Sequence, residues 1–329
     1  MDYFNPFFLD DAHWRVQGSS TSRHSELNDV ALADLSCGTS VDSPSKDNAT
    51  MVSISTVFHA QWIFAGSTPD TILISSDSVL FYVHSHHLLQ SSGNAFGSLL
   101  SKVHSSIAGS SSSNYITVRE NADLLNVVVH AFYGMDSQKF NPPPEVMLES
   151  IVCLKKYGAR LEQTIAPSTP LFDHLVMQAP RRPLDFYVTA AAHNLHSLAA
   201  QVSAYLLSFP LTSITDEQAE KMGAIYLKKL YALHHSRIET LRKLLLSPPE
   251  EHPANVDCGF VDQKRVTRAW ALAAAQMVWE KLPDLSPSFI QATLGSLTTH
   301  VTCNTCKEIL NAKIRQIIVE WSLETRNIE

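Results

Sequence analysis

The segment Asp70–Phe96, with the sequence DTILISSDSVLFYVHSHHLLQSSGNAF, constrains the fold more than any other part of this chain. Its first half alternates apolar and polar residues on both sides of the polar turn Ser75–Ser78, and this alternation predicts a β-hairpin. After Val83 the apolar residues recur three, four and seven or eight positions apart, as on the buried face of a helix. The segment therefore predicts strand, turn, strand and helix in succession.

This unit resembles the opening of a BTB/POZ domain, a protein-interaction fold, in the form common among fungal proteins. The family pattern is an Asp, an aliphatic strand, a Ser-Ser-Asp-like turn, Phe-x-Val-His, a Leu four residues on and a Ser before an aromatic residue. The matching residues are Asp70, Phe81, Val83, His84, Leu88 and Ser92. Two positions depart from it: Ser85 replaces the usual basic residue, and Phe96 comes one residue late, so either Ala95 or Phe96 fills the aromatic position.

The resemblance implies an α+β BTB/POZ domain at residues 56–166 that self-associates as a homodimer and recruits protein partners without catalysis. It also implies a structural role for His84 and places Asp70 where the family often carries a charge near the dimer interface. Many such domains contact cullin-type ubiquitin-ligase scaffolds through a hydrophobic-x-Glu motif, which makes a substrate adaptor an alternative function. No such motif occurs between Leu99 and Asn114, which weighs against the adaptor.

The flanking regions differ in composition from this domain. Residues 1–55 are rich in Ser, Thr, Asp and Asn, cannot bury enough apolar area to offset the ordering entropy, and are predicted to be a disordered tail. From 167 to 329 no strand pattern remains, and the apolar spacing predicts an all-α domain.

Helix signals recur along the chain after a further predicted strand at Asn114–Val118. Seven helices are predicted. The first is capped by Asn121 and ends before Gly134, the second covers Glu145–Tyr157 and stops at Gly158, and the third extends from Pro183 to about Phe209. The fourth starts at the capping box Thr215–Gln218 and ends near Leu246, the fifth covers Asp262–Trp279, the sixth follows the cap Ser286-Pro287, and the last begins at Glu308.

A candidate metal site lies near the C-terminus in the spacing His300-x-x-Cys303-x-x-Cys306. Cysteines three positions apart can reach one zinc ion, and a histidine one turn earlier adds a third ligand. The fourth ligand comes from Cys258 or from His252 in the proline-rich loop, which defines a zinc-stabilised scaffold as a further alternative function. In the simpler interpretation, Cys303 and Cys306 are ordinary small residues near the start of a helix.

Composition excludes several other classes of function. The net charge of −7 and the absence of a basic stripe argue against nucleic-acid binding, and no apolar run is long enough to span a membrane. The N-terminus lacks the pattern of a signal peptide, and five sparse cysteines are typical of a reducing compartment, which predicts a cytoplasmic or nuclear protein. No catalytic or phosphate-binding motif is found, so the chain is not predicted to be an enzyme.

Overall fold

A computed structural model describes residues 52–104, 114–256, 258–280 and 282–329. The predicted disordered tail lies outside the described residues, except for its last four positions. Within those four, Ser53–Ile54 form the short strand β1, which pairs in parallel with a later strand. Strand β1 therefore lies just before the predicted domain boundary at residue 56.

A four-stranded mixed sheet contains the predicted hairpin. Its strands are β1, β2 (Thr71–Ile74), β3 (Val79–Val83) and β4 (Asn114–Thr117), in the order β1-β3-β2-β4. Strands β2 and β3 are antiparallel, whereas β4 adds to β2 in parallel, an arrangement that needs a long connection between the two strands. Ile72 and Leu73 point to opposite faces of β2 and are both buried, so both faces of the sheet are covered there, while the edge strand β4 alternates between exposed Tyr115 and buried Ile116.

Five helices accompany the sheet, and their ends follow the local signals in the sequence. They are α1 (Ser85–Ser91), α2 (Leu99–His104), α3 (Ala122–Phe132), α4 (Pro144–Lys156) and α5 (Leu161–Thr164). The Asn121 side chain accepts a hydrogen bond from the backbone N–H of Leu124 and so caps α3 as predicted. Pro144 occupies the first position of α4, where its missing N–H costs nothing. The α+β class is thus confirmed.

The remainder of the described chain is helical. Its helices are α6 (Pro170–Gln178), α7 (Pro183–Ala192), α8 (His196–Ser203), α9 (Asp216–Leu246), α10 (Phe260–Glu280), α11 (Pro287–Gly295) and α12 (Asn304–Leu323). The capping box of Thr215 and Gln218 is present at the start of α9. The prediction of one helix from Pro183 to about Phe209 was wrong, because the chain turns at Asn194 with a left-handed φ of 55° and divides it into α7 and α8.

Two clusters of buried side chains form the core of these described residues. The first extends from Phe58 to Leu233 and includes Ile328, and the second extends from Leu241 to Trp321. The first cluster continues through residue 166, and the change between clusters falls within α9. The boundary between domains at 166 and 167 stays a prediction. None of the described helices is both long and apolar enough to cross a membrane.

Gly158, directly after α4, allows a close approach between two segments of the first cluster. A Cβ atom at this position would lie 2.3 Å from Oδ1 and 2.8 Å from the backbone nitrogen of Asn94. The backbone N–H of Gly93 donates a hydrogen bond of 2.8 Å to the Gly158 carbonyl oxygen, which holds the two segments together.

We expect Gly158→Ala to destabilise the chain more than the matched variant Gly134→Ala. Both glycines have a left-handed φ, +76° and +63°, which costs an alanine about 1–2 kcal/mol. Only at Gly158 does the new methyl group also displace Asn94, since nothing lies within 4 Å of a Cβ at Gly134. The midpoints of urea unfolding measure the difference, and equal losses would contradict the close approach.

Glu120 is a buried carboxylate that links the end of the sheet to the end of α4. It accepts hydrogen bonds from the Lys156 ammonium and from the Tyr157 hydroxyl. Burial opposes its ionisation, but these two donors outweigh that effect and hold the pKa of Glu120 below its ordinary value. Ionised Glu120 therefore stabilises the fold above its unfolded-state pKa, and this stabilisation is lost as the pH falls through the lower folded-state pKa.

Glu120→Gln is expected to lower the free energy of unfolding at neutral pH and to make the loss of stability in acid less steep. The control is Glu145→Gln, because Glu145 also pairs with a cation, Arg182, but its side chain is 61% exposed. Urea unfolding from neutral pH down to about pH 2 covers the fall through both the ordinary and the lowered carboxyl pKa. Identical pH profiles for wild type and Glu120→Gln would refute this role.

Candidate metal centre

Two separate segments bring three cysteines and one histidine together in the second cluster. His252 and Cys258 lie in the loop between α9 and α10, where a backbone bridge pairs Asn255 with Cys258. Cys303 is the N-cap residue of α12, and Cys306 lies in the first turn of that helix. The Cys-x-x-Cys spacing across a helix start places both sulfur atoms on one side, facing the loop.

The four side chains have the spacing of a tetrahedral metal site. Their ligand atoms all lie within 4.8 Å of one another. The Nε2 atom of His252 is 3.2 Å from the Cys306 sulfur and 3.5 Å from the Cys303 sulfur, and the Cys258 and Cys306 sulfurs are 3.6 Å apart. Zinc bound to sulfur and nitrogen at its usual bond lengths would give ligand–ligand edges of about 3.5–3.8 Å. The group can therefore hold a metal ion.

The imidazole of His252 is oriented for ligation by its other ring nitrogen. Nδ1 lies 2.8 Å from the carbonyl oxygen of Pro253, and an N–H that donates there leaves the lone pair of Nε2 for the sulfur cluster. The side chain of Gln263, which is buried on α10, donates a hydrogen bond of 2.9 Å to the backbone oxygen of His252. No sequence signal indicated this second contact, because it depends on where the loop crosses α10.

The local electrostatics favour different protonation states for the three thiols in the absence of metal. Backbone N–H groups at the start of α12, chiefly that of Cys306, lower the pKa of Cys303 to about 7. Burial raises the pKa of Cys306 to about 12 and also raises that of Cys258. The hydrogen bond to Pro253 raises the pKa of His252. Because ligation requires thiolates and a neutral imidazole, metal binding would release protons from this cluster.

Three of the four residues predicted to bind the metal lie in the cluster, and one does not. Cys258, Cys303 and Cys306 are buried together, whereas His300 is exposed at the end of a short 3-10 helix and is absent from the group. His252, the other candidate for the fourth ligand, occupies the remaining position. The residues that the structure brings together as potential metal ligands are therefore His252, Cys258, Cys303 and Cys306.

Asp70, one of the residues of the BTB-like pattern, binds the start of helix α1. Its carboxylate accepts hydrogen bonds from the backbone N–H and the hydroxyl of Ser85, at 2.7 and 2.5 Å. Burial opposes ionisation of Asp70, but the hydrogen bonds from Ser85 lower its pKa overall. Ser85, which replaces the basic residue of the BTB-like pattern, thus provides two hydrogen-bond donors to Asp70. A location of Asp70 near a dimer interface stays a prediction.

The other residues of this pattern are buried. Phe81, Val83 and Leu88 belong to the first cluster, and His84 and Ser92 are buried polar residues. The two ring nitrogens of His84 lie 3.0 Å from the Tyr133 hydroxyl and 2.9 Å from the Ser67 carbonyl oxygen, so the ring joins separate segments. Phe96 rather than Ala95 fills the aromatic position, because Phe96 is fully buried and stacks on Tyr157 with ring centroids 4.1 Å apart.

Comparison of the chain with family models, with curated proteins and with solved structures gave no match. The assignment of function therefore depends on the fold and on the geometry of the metal centre.

We expect His252→Ala to lose the bound metal and His300→Ala to retain it. The two variants remove the same side chain, but only His252 contributes an atom to the cluster. Metal content of the purified full chain, measured by elemental mass spectrometry, and the thermal midpoint report the result. Loss of metal from His300→Ala with retention by His252→Ala would show that the ligand set is different.

Proposed function

We propose that this chain is a non-catalytic protein-interaction scaffold whose C-terminal helices are stabilised by a structural zinc ion. The observation that carries the proposal is the convergence of one imidazole and three thiols within 4.8 Å. Four protein ligands fill the tetrahedral coordination of zinc, whereas catalytic zinc sites keep a position open for water or substrate. The closed ligand set supports a structural role for the metal.

The ligand types favour zinc over other divalent metals. Thiolates are soft ligands that select zinc among the commonly available divalent ions, and magnesium and calcium require oxygen ligands. The ion would join the loop before α10 to the start of α12, and structural zinc contributes on the order of 10 kcal/mol to small domains. Three thiols kept reduced for this purpose support a location in the cytoplasm or nucleus.

The first cluster supports a second part of the same proposal, a BTB-type module at residues 56–166. The antiparallel hairpin of β2 and β3, the parallel addition of β4 and the helices that follow each extended segment agree with the fold that the sequence resemblance implies. The residues at 167–329 would then form the helical domain that presents a surface to partners.

Self-association is the activity we propose for this module. Strand β1 pairs only with β3 among the described strands and lies at one edge of the sheet. Its residue Ile54 is 52% exposed and the neighbouring Val52 is 55% exposed, so this edge combines unpaired backbone groups with apolar side chains. A homodimer would cover both, because a two-fold interface uses the same patch on each subunit.

Native mass spectrometry of the full chain over a range of concentrations tests both parts of the proposal. We expect a dimer that carries one zinc ion per chain, because each subunit contains one complete ligand set. A monomer with zinc would refute self-association alone, and a dimer without zinc would refute the metal centre alone.

Ile54→Glu is expected to shift the dimer towards monomer, since it adds a charge to the edge that self-association would bury. The matched control is Ile225→Glu, because Ile225 is a 71% exposed isoleucine on α9. Sedimentation velocity measures the dissociation constant of each variant. Equal dissociation constants for Ile54→Glu and the control would remove the β1 edge from the interface.

A further inference from the structure

A cavity of about 370 Å³ lies beside the candidate metal centre. Its lining includes Cys258, Cys303 and Cys306, the small apolar Ala269, and the polar side chains of Asp262 and Arg265. The fourth candidate ligand, His252, does not line it. The cavity therefore borders the three cysteines and provides a route for a small molecule towards the thiolates.

The three cysteines differ in their exposure and in the spacing of their sulfur atoms. Cys303 and Cys306 are each 9% exposed, whereas Cys258 is only 1% exposed. The sulfur atoms of Cys258 and Cys306 are 3.6 Å apart, so a modified Cys306 has a second thiol in contact with it. When a more accessible thiol is oxidised to a sulfenic acid, a less exposed thiol in contact with it can condense with it to a disulfide.

We propose that the cavity admits small hydroperoxides, which oxidise Cys306 and release the metal through a disulfide between Cys306 and Cys258. The proposal rests on the metal centre proposed above and adds its regulation. It assigns the cavity to a peroxide-sized substrate, because the polar side chains of Asp262 and Arg265 line it together with the thiols and its volume suits a small polar molecule.

With hydrogen peroxide as the oxidant, the reaction takes two steps. The Cys306 thiolate attacks one peroxide oxygen, the O–O bond breaks, and hydroxide leaves while Cys306 becomes a sulfenic acid after proton transfer. The Cys258 thiolate then attacks the Cys306 sulfur, the S–S bond forms, and a second hydroxide leaves. Two thiolates and one peroxide thus give one disulfide and two hydroxide ions, and zinc keeps only His252 and Cys303 as ligands and dissociates.

The test uses the full zinc-loaded chain with Cys37 replaced by Ser, so that the remaining thiols are the three ligands and Cys153. Cys153 is buried on α4, outside the cavity, and serves as an internal reference. A chromophoric chelator follows zinc release after addition of hydrogen peroxide, and peptide mass mapping identifies the oxidised residues. We expect one zinc ion released for each Cys258–Cys306 disulfide, and recovery of binding after reduction.

Two helix variants test whether the peroxide passes through the cavity. Ala269→Leu fills the cavity and is expected to slow oxidation about tenfold at unchanged zinc content, since access controls the rate of thiol oxidation. Ala275→Leu makes the same change on the same helix α10 but outside the cavity, and is expected to react like the parent chain. Equal rates for the two variants would overturn the proposal.

Two further measurements cover the cases in which Ala269→Leu or the parent chain binds less zinc. If Ala269→Leu binds less zinc, the rates with hydrogen peroxide and with bulky cumene hydroperoxide are compared in the parent chain, and equal rates would exclude passage through the cavity. The zinc-free chain is oxidised in parallel, because disulfide mapping requires no metal. A chain that never binds zinc but forms the Cys258–Cys306 disulfide would refute the metal centre and its regulated release but not the peroxide site. A zinc-bound chain that oxidises at Cys153 first would refute only the peroxide site.

Discussion

The close approach of one imidazole and three thiols is the constraint on which the end of the chain depends. Among the described residues around His252 there is almost no regular structure, and the loop is held by a bridge between Asn255 and Cys258 and by the hydrogen bond from Gln263 to His252. Burying a polar group costs free energy unless the group finds a bonding partner, and the partners of this loop come from the start of α12. A shared metal ion would satisfy all four ligands together and would explain why an irregular loop follows this path.

A second tie in the same region is the buried guanidinium of Arg237 on α9. It donates hydrogen bonds to the carbonyl oxygens of Pro283 and Thr325 and lies 4.2 Å from the ring centroid of Trp321. A buried charge is tolerated only when its donors are satisfied, so these carbonyl groups must converge on one point. That requirement directs the chain after α12 back towards the first cluster, where Ile328 is buried.

Local signals in the sequence predicted the elements well, and distant contacts explain what they missed. The capping box at Thr215 and the hairpin turn depend on residues only a few positions apart, so the local sequence is enough to predict them. The choice of His252 over His300 depends on how a proline-rich loop folds across α10, and no spacing rule contains that information. The helix predicted through Asn194 failed for a related reason, because a turn between packed helices overrode their apolar periodicity.

The candidate metal centre belongs to the smaller of two cores that share helix α9. Leu233 belongs to the first cluster and Leu241 to the second, so one helix extends into both. The second cluster contains far fewer buried side chains, and a small core supplies less hydrophobic stabilisation. A cross-link between the loop after α9 and the start of α12 would therefore stabilise the chain where apolar burial is least, and its release would loosen these helices while the larger first cluster keeps its own packing.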